Sequence, residues 1–235
     1  MLVGLTQRLL EPDVAKDLAT VGVAHVFYAL GRFAHRHPDA IPENVGGLME
    51  VLSKQLVALK KGRAAVEEVR HIVMIARGCN ATNSYSSGLT RFLVACLLEA
   101  THHSRLLECK SDQPPPGVKL PQRSMLLDIV DASALLIHAA KVSSEEDVVD
   151  PGARRDLERL LFGSLWALSS GNAPGTLGES EIGGRLGAWD ASLQKWFDED
   201  WTARLRPLLV RLAPSLERQS KAKKRAAEVV AMDAE

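Results

Sequence analysis

The side chains of this 235-residue chain with the most to offer chemically are its clustered cations. Arg63, Arg70 and Arg77 recur every seven residues, a spacing that lines them along one stripe of one helix. Lys54, Lys60 and Lys61 lie just before them, so six positive charges face only Glu67 and Glu68. A second concentration runs through Arg204, Arg206, Arg211, Arg218, Lys221, Lys223, Lys224 and Arg225, with Glu217 as its single acid. Phosphate backbones are bound by such patches, because each neutralised phosphate releases condensed counterions. The expected contacts are Lys60, Lys61, Arg63, Arg70 and Arg77, with a second arm of Arg218, Lys221, Lys223, Lys224 and Arg225. The competing interpretation is an ordinary solvated helix face. Acidic stretches at Glu145–Asp150 and Asp198–Asp200 bring the formal net charge to zero, so the case rests on local patches.

Other reactive residue types lead to packing rather than chemistry. His25, His71 and His138 each sit in an apolar helical stretch, where a histidine between helices bonded to a backbone group accounts for them. Trp189 and Trp196 are one heptad apart and, with Trp201, are expected to anchor the last helices rather than stack bases. Cys79, Cys96 and Cys109 are odd in number and widely spaced, which argues against a disulfide framework or a zinc site. No HExxH, GxSxG, GxGxxG, Walker or kinase motif occurs, and Gly46-Gly47 and Gly183-Gly184 match no phosphate loop. We therefore expect no catalytic residue, no metal, no cofactor and no small-molecule substrate.

The elements that must carry these residues are helices. Apolar content is 46%, aromatics only 5%, and Leu and Ala are abundant. Apolar positions at helical spacing run over residues 14–35, 43–59, 64–79, 86–108, 125–142 and 154–169, and again through Leu205–Leu212. His37-Pro38 ends one helix, and Asn80–Ser84 forms a turn rich in capping residues. No run alternates with period two as a half-buried strand would. The expected fold is all-α: an α-solenoid of stacked antiparallel helix pairs with a C-terminal helical extension. Its parts are helical-repeat hairpins over residues 1–110, a Pro-rich linker at 111–123 and a diverged helix pair at 124–170. A Gly-rich loop at 171–184 and C-terminal helices with a basic tail at 185–235 complete it. Met1–Leu10 reads as the second half of a helix, without the marks of a secretory or transit leader. No stretch is long and apolar enough to insert in a membrane.

A motif recurs within this framework. Val23-Ala24-His25-Val26-Phe27-Tyr28-Ala29-Leu30-Gly31-Arg32-Phe33 is echoed by Val69–Cys79 and more faintly by Val130–Ala140. His25 and His71 are 46 positions apart, close to one helix–turn–helix unit. The first copy, together with Leu165-Trp166-Ala167-Leu168-Ser169, resembles the first helix of octotricopeptide and heptatricopeptide repeats of organellar RNA-binding proteins. It is similar also to the arrays that precede RAP domains in FAST-kinase-type proteins. Unit length drifts, the polyproline run splits the array and no RAP-like domain is readable. The resemblance implies an α-solenoid in mitochondria or plastids that holds RNA or sits in a ribonucleoprotein.

The expectation is thus a non-catalytic scaffold that binds the RNA phosphate backbone and neighbouring proteins. Its setting would be the matrix side of a mitochondrion or another organelle, with the mitochondrial ribosome as first candidate. The alternative is a protein–protein adapter or accessory subunit of a large respiratory-type complex.

Overall fold

The structure is a computed structural model. It describes residues 2–11, 14, 18–59, 68–104, 106–108, 120–142, 149–171, 173–177, 181–182, 185 and 199–212. Among these there are eight α-helices and no strand: α1 (Leu2–Leu9), α2 (Thr20–Arg36), α3 (Val45–Leu59), α4 (Val69–Thr82), α5 (Ser87–Thr101), α6 (Arg123–Val142), α7 (Pro151–Ser169) and α8 (Glu199–Leu212). The all-helical expectation holds. The Pro-rich run at 111–119 and the tail from 213 onward lie outside the described residues, as do Trp189 and Trp196.

Local chemistry sets the helix ends. Pro38 stops α2, and a three-residue turn of 3₁₀ helix (Pro38–Ala40) follows it. Asn83 ends α4 in the left-handed conformation, φ 50°, with its N–H on the Asn80 carbonyl. Ser86 then caps α5 by accepting from the Leu89 N–H at 3.3 Å. Helix α5 stops at Thr101 and gives way to 3₁₀ turns at His102–Ser104 and Leu106–Glu108, seven residues short of the expected helix end at 108. Helix α7 begins three residues earlier than expected, because Asp150 accepts from the N–H groups of Gly152 and Ala153 and Pro151 fits the first helical position.

Packing follows the apolar faces. Helix α4 lies between α2 and α6, and α7 covers the other side of α6. Helix α3 packs on both α2 and α5, α5 contacts α4, α6 and α7, and α8 rests on α7. One continuous core results, with Phe27, Leu52, Ile75, Leu97, Leu136 and Leu160 all fully or almost fully buried. Cys79 and Cys96 join it, neither in a disulfide, and burial pushes the Cys79 thiol pKa far up.

The α2–α4 contact is made backbone to backbone. A Cβ on Gly31 would stand 2.8 Å from the Gly78 Cα, and one on Gly78 would stand 2.7 Å from the Phe27 carbonyl carbon and overlap its oxygen. Helix preference alone would make Gly→Ala favourable by about 1 kcal/mol. Here the obstacle is another helix's main chain, which cannot swing aside as a flexible side chain would. Overpacking of this kind costs about 1–3 kcal/mol and outweighs the preference. Gly78→Ala is expected to lower unfolding free energy by about 2 kcal/mol in urea denaturation. Gly47→Ala, on α3 with nothing within 4 Å of the added Cβ, is expected to raise it by about 0.5 kcal/mol.

Candidate nucleic-acid interface

Helices α2 and α4 contain no aspartate or glutamate, and both are basic. On α2 the positions His25, Ala29, Arg32 and Arg36 follow i, i+4, i+7, i+11 and all are exposed, with exposed His35 beside them. The Arg32 guanidinium stands over the Tyr28 ring, 5.8 Å from its centroid. Helix α4 presents exposed Arg70 and partly exposed Arg77 two turns apart, separated on that stripe by buried Met74. His71, with 14% of its side chain exposed, lies 3.8 Å from Glu68, the residue before the helix.

The two expected α4 contacts have different surroundings. Arg70 is exposed and forms no ion pair among the described residues, so its charge faces solvent. Arg77 donates from Nη2 to Asp131 Oδ2 on α6 at 2.5 Å. The Asp131 side chain is 1% exposed and that of Arg77 is 41% exposed. Arg185, beyond the Gly-rich loop, donates to the same oxygen from Nη2 at 2.5 Å and from Nε at 3.1 Å. Its Nη2 also reaches Asp128 Oδ1 at 2.6 Å. Burial works against the Arg185 charge, but the field and hydrogen bonds of Asp131 and Asp128 more than offset it, and its pKa is raised.

This cluster of two arginines and two aspartates is neutral overall. A carboxylate as deeply buried as Asp131 is tolerable only when charged partners replace its water, and both guanidinium groups do so. Most of Arg77's positive charge is therefore committed inside the protein. Of the ten residues singled out as phosphate contacts, only Arg70 and Arg77 lie within the described residues. Lys60, Lys61, Arg63, Arg218, Lys221, Lys223, Lys224 and Arg225 lie outside them.

The α2 stripe was not singled out from the sequence, although its signal was present as a 17-residue helix without an acid. His25 escaped because its apolar neighbours suggested packing; the structure corrects this, since His25 is exposed while Ala24 and Val23 beside it are buried. His138 does lie half-buried in α6, and desolvation, assisted by Lys141, lowers its pKa. In the C-terminal basic region, Arg204 stacks 4.5 Å from the Phe162 ring centroid of α7. Among the described residues no three His, Cys, Asp or Glu side chains gather as a metal site requires, and no helix is long and apolar enough to cross a membrane.

No family model, no curated protein and no solved structure matches the chain.

Asp131→Ala leaves two partly buried guanidinium groups facing each other without their shared anion. It is expected to cost about 3 kcal/mol of unfolding free energy. Arg77→Ala is expected to cost clearly less, because Arg185 still neutralises the carboxylate. Chemical denaturation of the two variants against the parent protein measures both.

Proposed function

We propose that the protein is a non-catalytic helical scaffold that binds the phosphate backbone of RNA across α2 and α4. The observation that carries this reading is the pairing of two acid-free helices, joined glycine to glycine, whose exposed cations Arg32, Arg36 and Arg70 form no ion pair among the described residues. Three fixed charges on adjoining helices favour a polyanion over a small ligand, because a backbone can engage separate cations at once. Lys60, Lys61 and Arg63 and the arm from Arg218 to Arg225 lie outside the described residues and are further candidate cations for the same role.

The architecture that suits this role is an α-solenoid of antiparallel pairs. Packing of α2 on α4 and α4 on α6 in one layer, and of α3 on α5 and α5 on α7 in another, supports that arrangement. An organellar ribonucleoprotein, on the matrix side of mitochondria and with the ribosome as first candidate, is the setting implied by the resemblance of Val23–Phe33 to tricopeptide-type repeats.

A second reading, an adapter gripping another protein of a large complex, has one observation in its favour. The outward face of α3 carries Val51 and Val57, 37% and 41% exposed, and the exposed small residues Gly46, Gly47 and Ala58 around the exposed Glu50–Lys54 ion pair.

Titrating a fluorescent single-stranded RNA at several salt concentrations separates the two. The RNA reading expects affinity to fall steeply with salt, and the Arg32→Ala/Arg36→Ala/Arg70→Ala variant to flatten the log–log slope by about 2. A flat salt response in the parent protein, or an unchanged slope in the variant, would remove the RNA reading and leave the adapter.

A further inference from the structure

Helix α3 buries Leu48, Leu52 and Leu56 in the core and turns its other face to solvent from Gly46 to Ala58, about 18 Å at the usual rise per residue. At one end of that face stand Gly46 and Gly47, and at the other Val57 and Ala58, with Glu50 and Lys54 between them. Complementary groups therefore lie at matching distances on either side of Leu52: bare backbone against methyl groups, and an anion against a cation. A half-turn about an axis through that midpoint lays each group on its complement in a second, antiparallel α3. Val51, 37% exposed, flanks the axis and meets its own counterpart.

Two further observations point the same way. Nothing lies within 4 Å of a Cβ built on Gly46 or Gly47, so the fold itself makes no use of their missing side chains. Glycine weakens a helix relative to alanine, but here it leaves a shallow recess in which an opposing Val57 can sit with the helix axes close together. Glu50 and Lys54 pair along the helix at 2.6 Å, with side chains 64% and 75% exposed. That contact leaves the carboxylate with free lone pairs and the ammonium with free protons. In the antiparallel arrangement Glu50 of each copy also meets Lys54 of the other, which closes a ring of four alternating charges. A parallel arrangement sets Glu50 on Glu50 and Lys54 on Lys54, so the charges select the antiparallel one.

We propose that α3 is a self-association surface, pairing antiparallel with α3 of a second copy of this chain about a two-fold axis at Leu52. Such an interface is isologous: it closes at two copies and leaves no complementary edge to propagate. One helix face is smaller than the ~1,200 Å² of a stable interface, so the dimer is weak, with a Kd of about 100 µM. The inference does not depend on the RNA reading, since it uses none of the α2 or α4 cations.

Sedimentation velocity of the full-length protein from about 10 µM to about 1 mM tests it. The parent protein is compared with Glu50→Lys, with Lys54→Glu and with an equimolar mixture of the two variants. Both substitutions fall on exposed positions, and far-UV circular dichroism checks that the helices persist. The parent is expected to shift from monomer to dimer across the series. Each variant alone turns both crossings of the ring repulsive and is expected to associate at least roughly tenfold more weakly. The mixture again opposes cation to anion at both crossings, which no rearrangement within one chain can do, and is expected to dimerise at least as well as the parent. A parent that stays monomeric throughout overturns the inference and leaves the α3 face to a different protein. Variants that dimerise as the parent does, or a mixture that stays monomeric, overturn it as well, because any dimer then forms elsewhere.

Discussion

The constraint on which the rest depends is the contact between Gly31 and Gly78. At this point α2 and α4 meet main chain to main chain, closer than any side chain would permit. The contact fixes where α2 lies, and through α4 it fixes the distance from α2 to α6. Apolar burial accompanies it, with Phe27 against Gly78 and with Ile72 and Ile75 of α4 fully buried in the core. Arg32 and Arg77 are the chain neighbours of these glycines. The approach that builds the core therefore also decides how near the two basic helices lie.

Asp131 shows how far a helical stripe can mislead. Arg70 and Arg77 are seven residues apart and share one line on α4. A stripe is nevertheless not an environment. At Arg70 the helix is open to solvent, whereas at Arg77 the neighbouring α6 brings a buried carboxylate to the guanidinium. The same periodic pattern thus yields one cation directed outward and one spent on holding the fold.

What could be read from the chain was whatever depends on short-range order. Helix type and the stop at His37-Pro38 follow from local propensities and appear where those propensities place them, whereas α4 runs on through Asn80–Thr82, the first part of the expected turn, and ends only at left-handed Asn83. Asp131, in the apolar run Ile129-Val130-Asp131-Ala132, was not singled out from the sequence, although a carboxylate among buried positions needs a partner. Its partners, Arg77 and Arg185, lie 54 residues away on either side, and no periodicity spans that distance. The exposure of His25 was equally hidden. A residue flanked by valine and alanine on a helix can face either way, and only the direction from which α4 approaches decides it. Helix α7 starts three residues ahead of its expected range at 154–169, because Asp150 and Pro151 suit a first turn that carries no apolar periodicity.

The shared carboxylate also bears on the order in which the chain can assemble. While α6 packs against α7 alone, Asp131 would be a bare anion at the edge of a growing core. Either guanidinium can neutralise it, but its full set of hydrogen bonds forms only when residues from well before and well after it in the chain have both arrived. Closing two such loops costs entropy that is recovered only at the end. Partly folded forms with a buried, unpaired charge are thereby raised in energy, and the first and second halves of the chain are coupled into one cooperative transition rather than two.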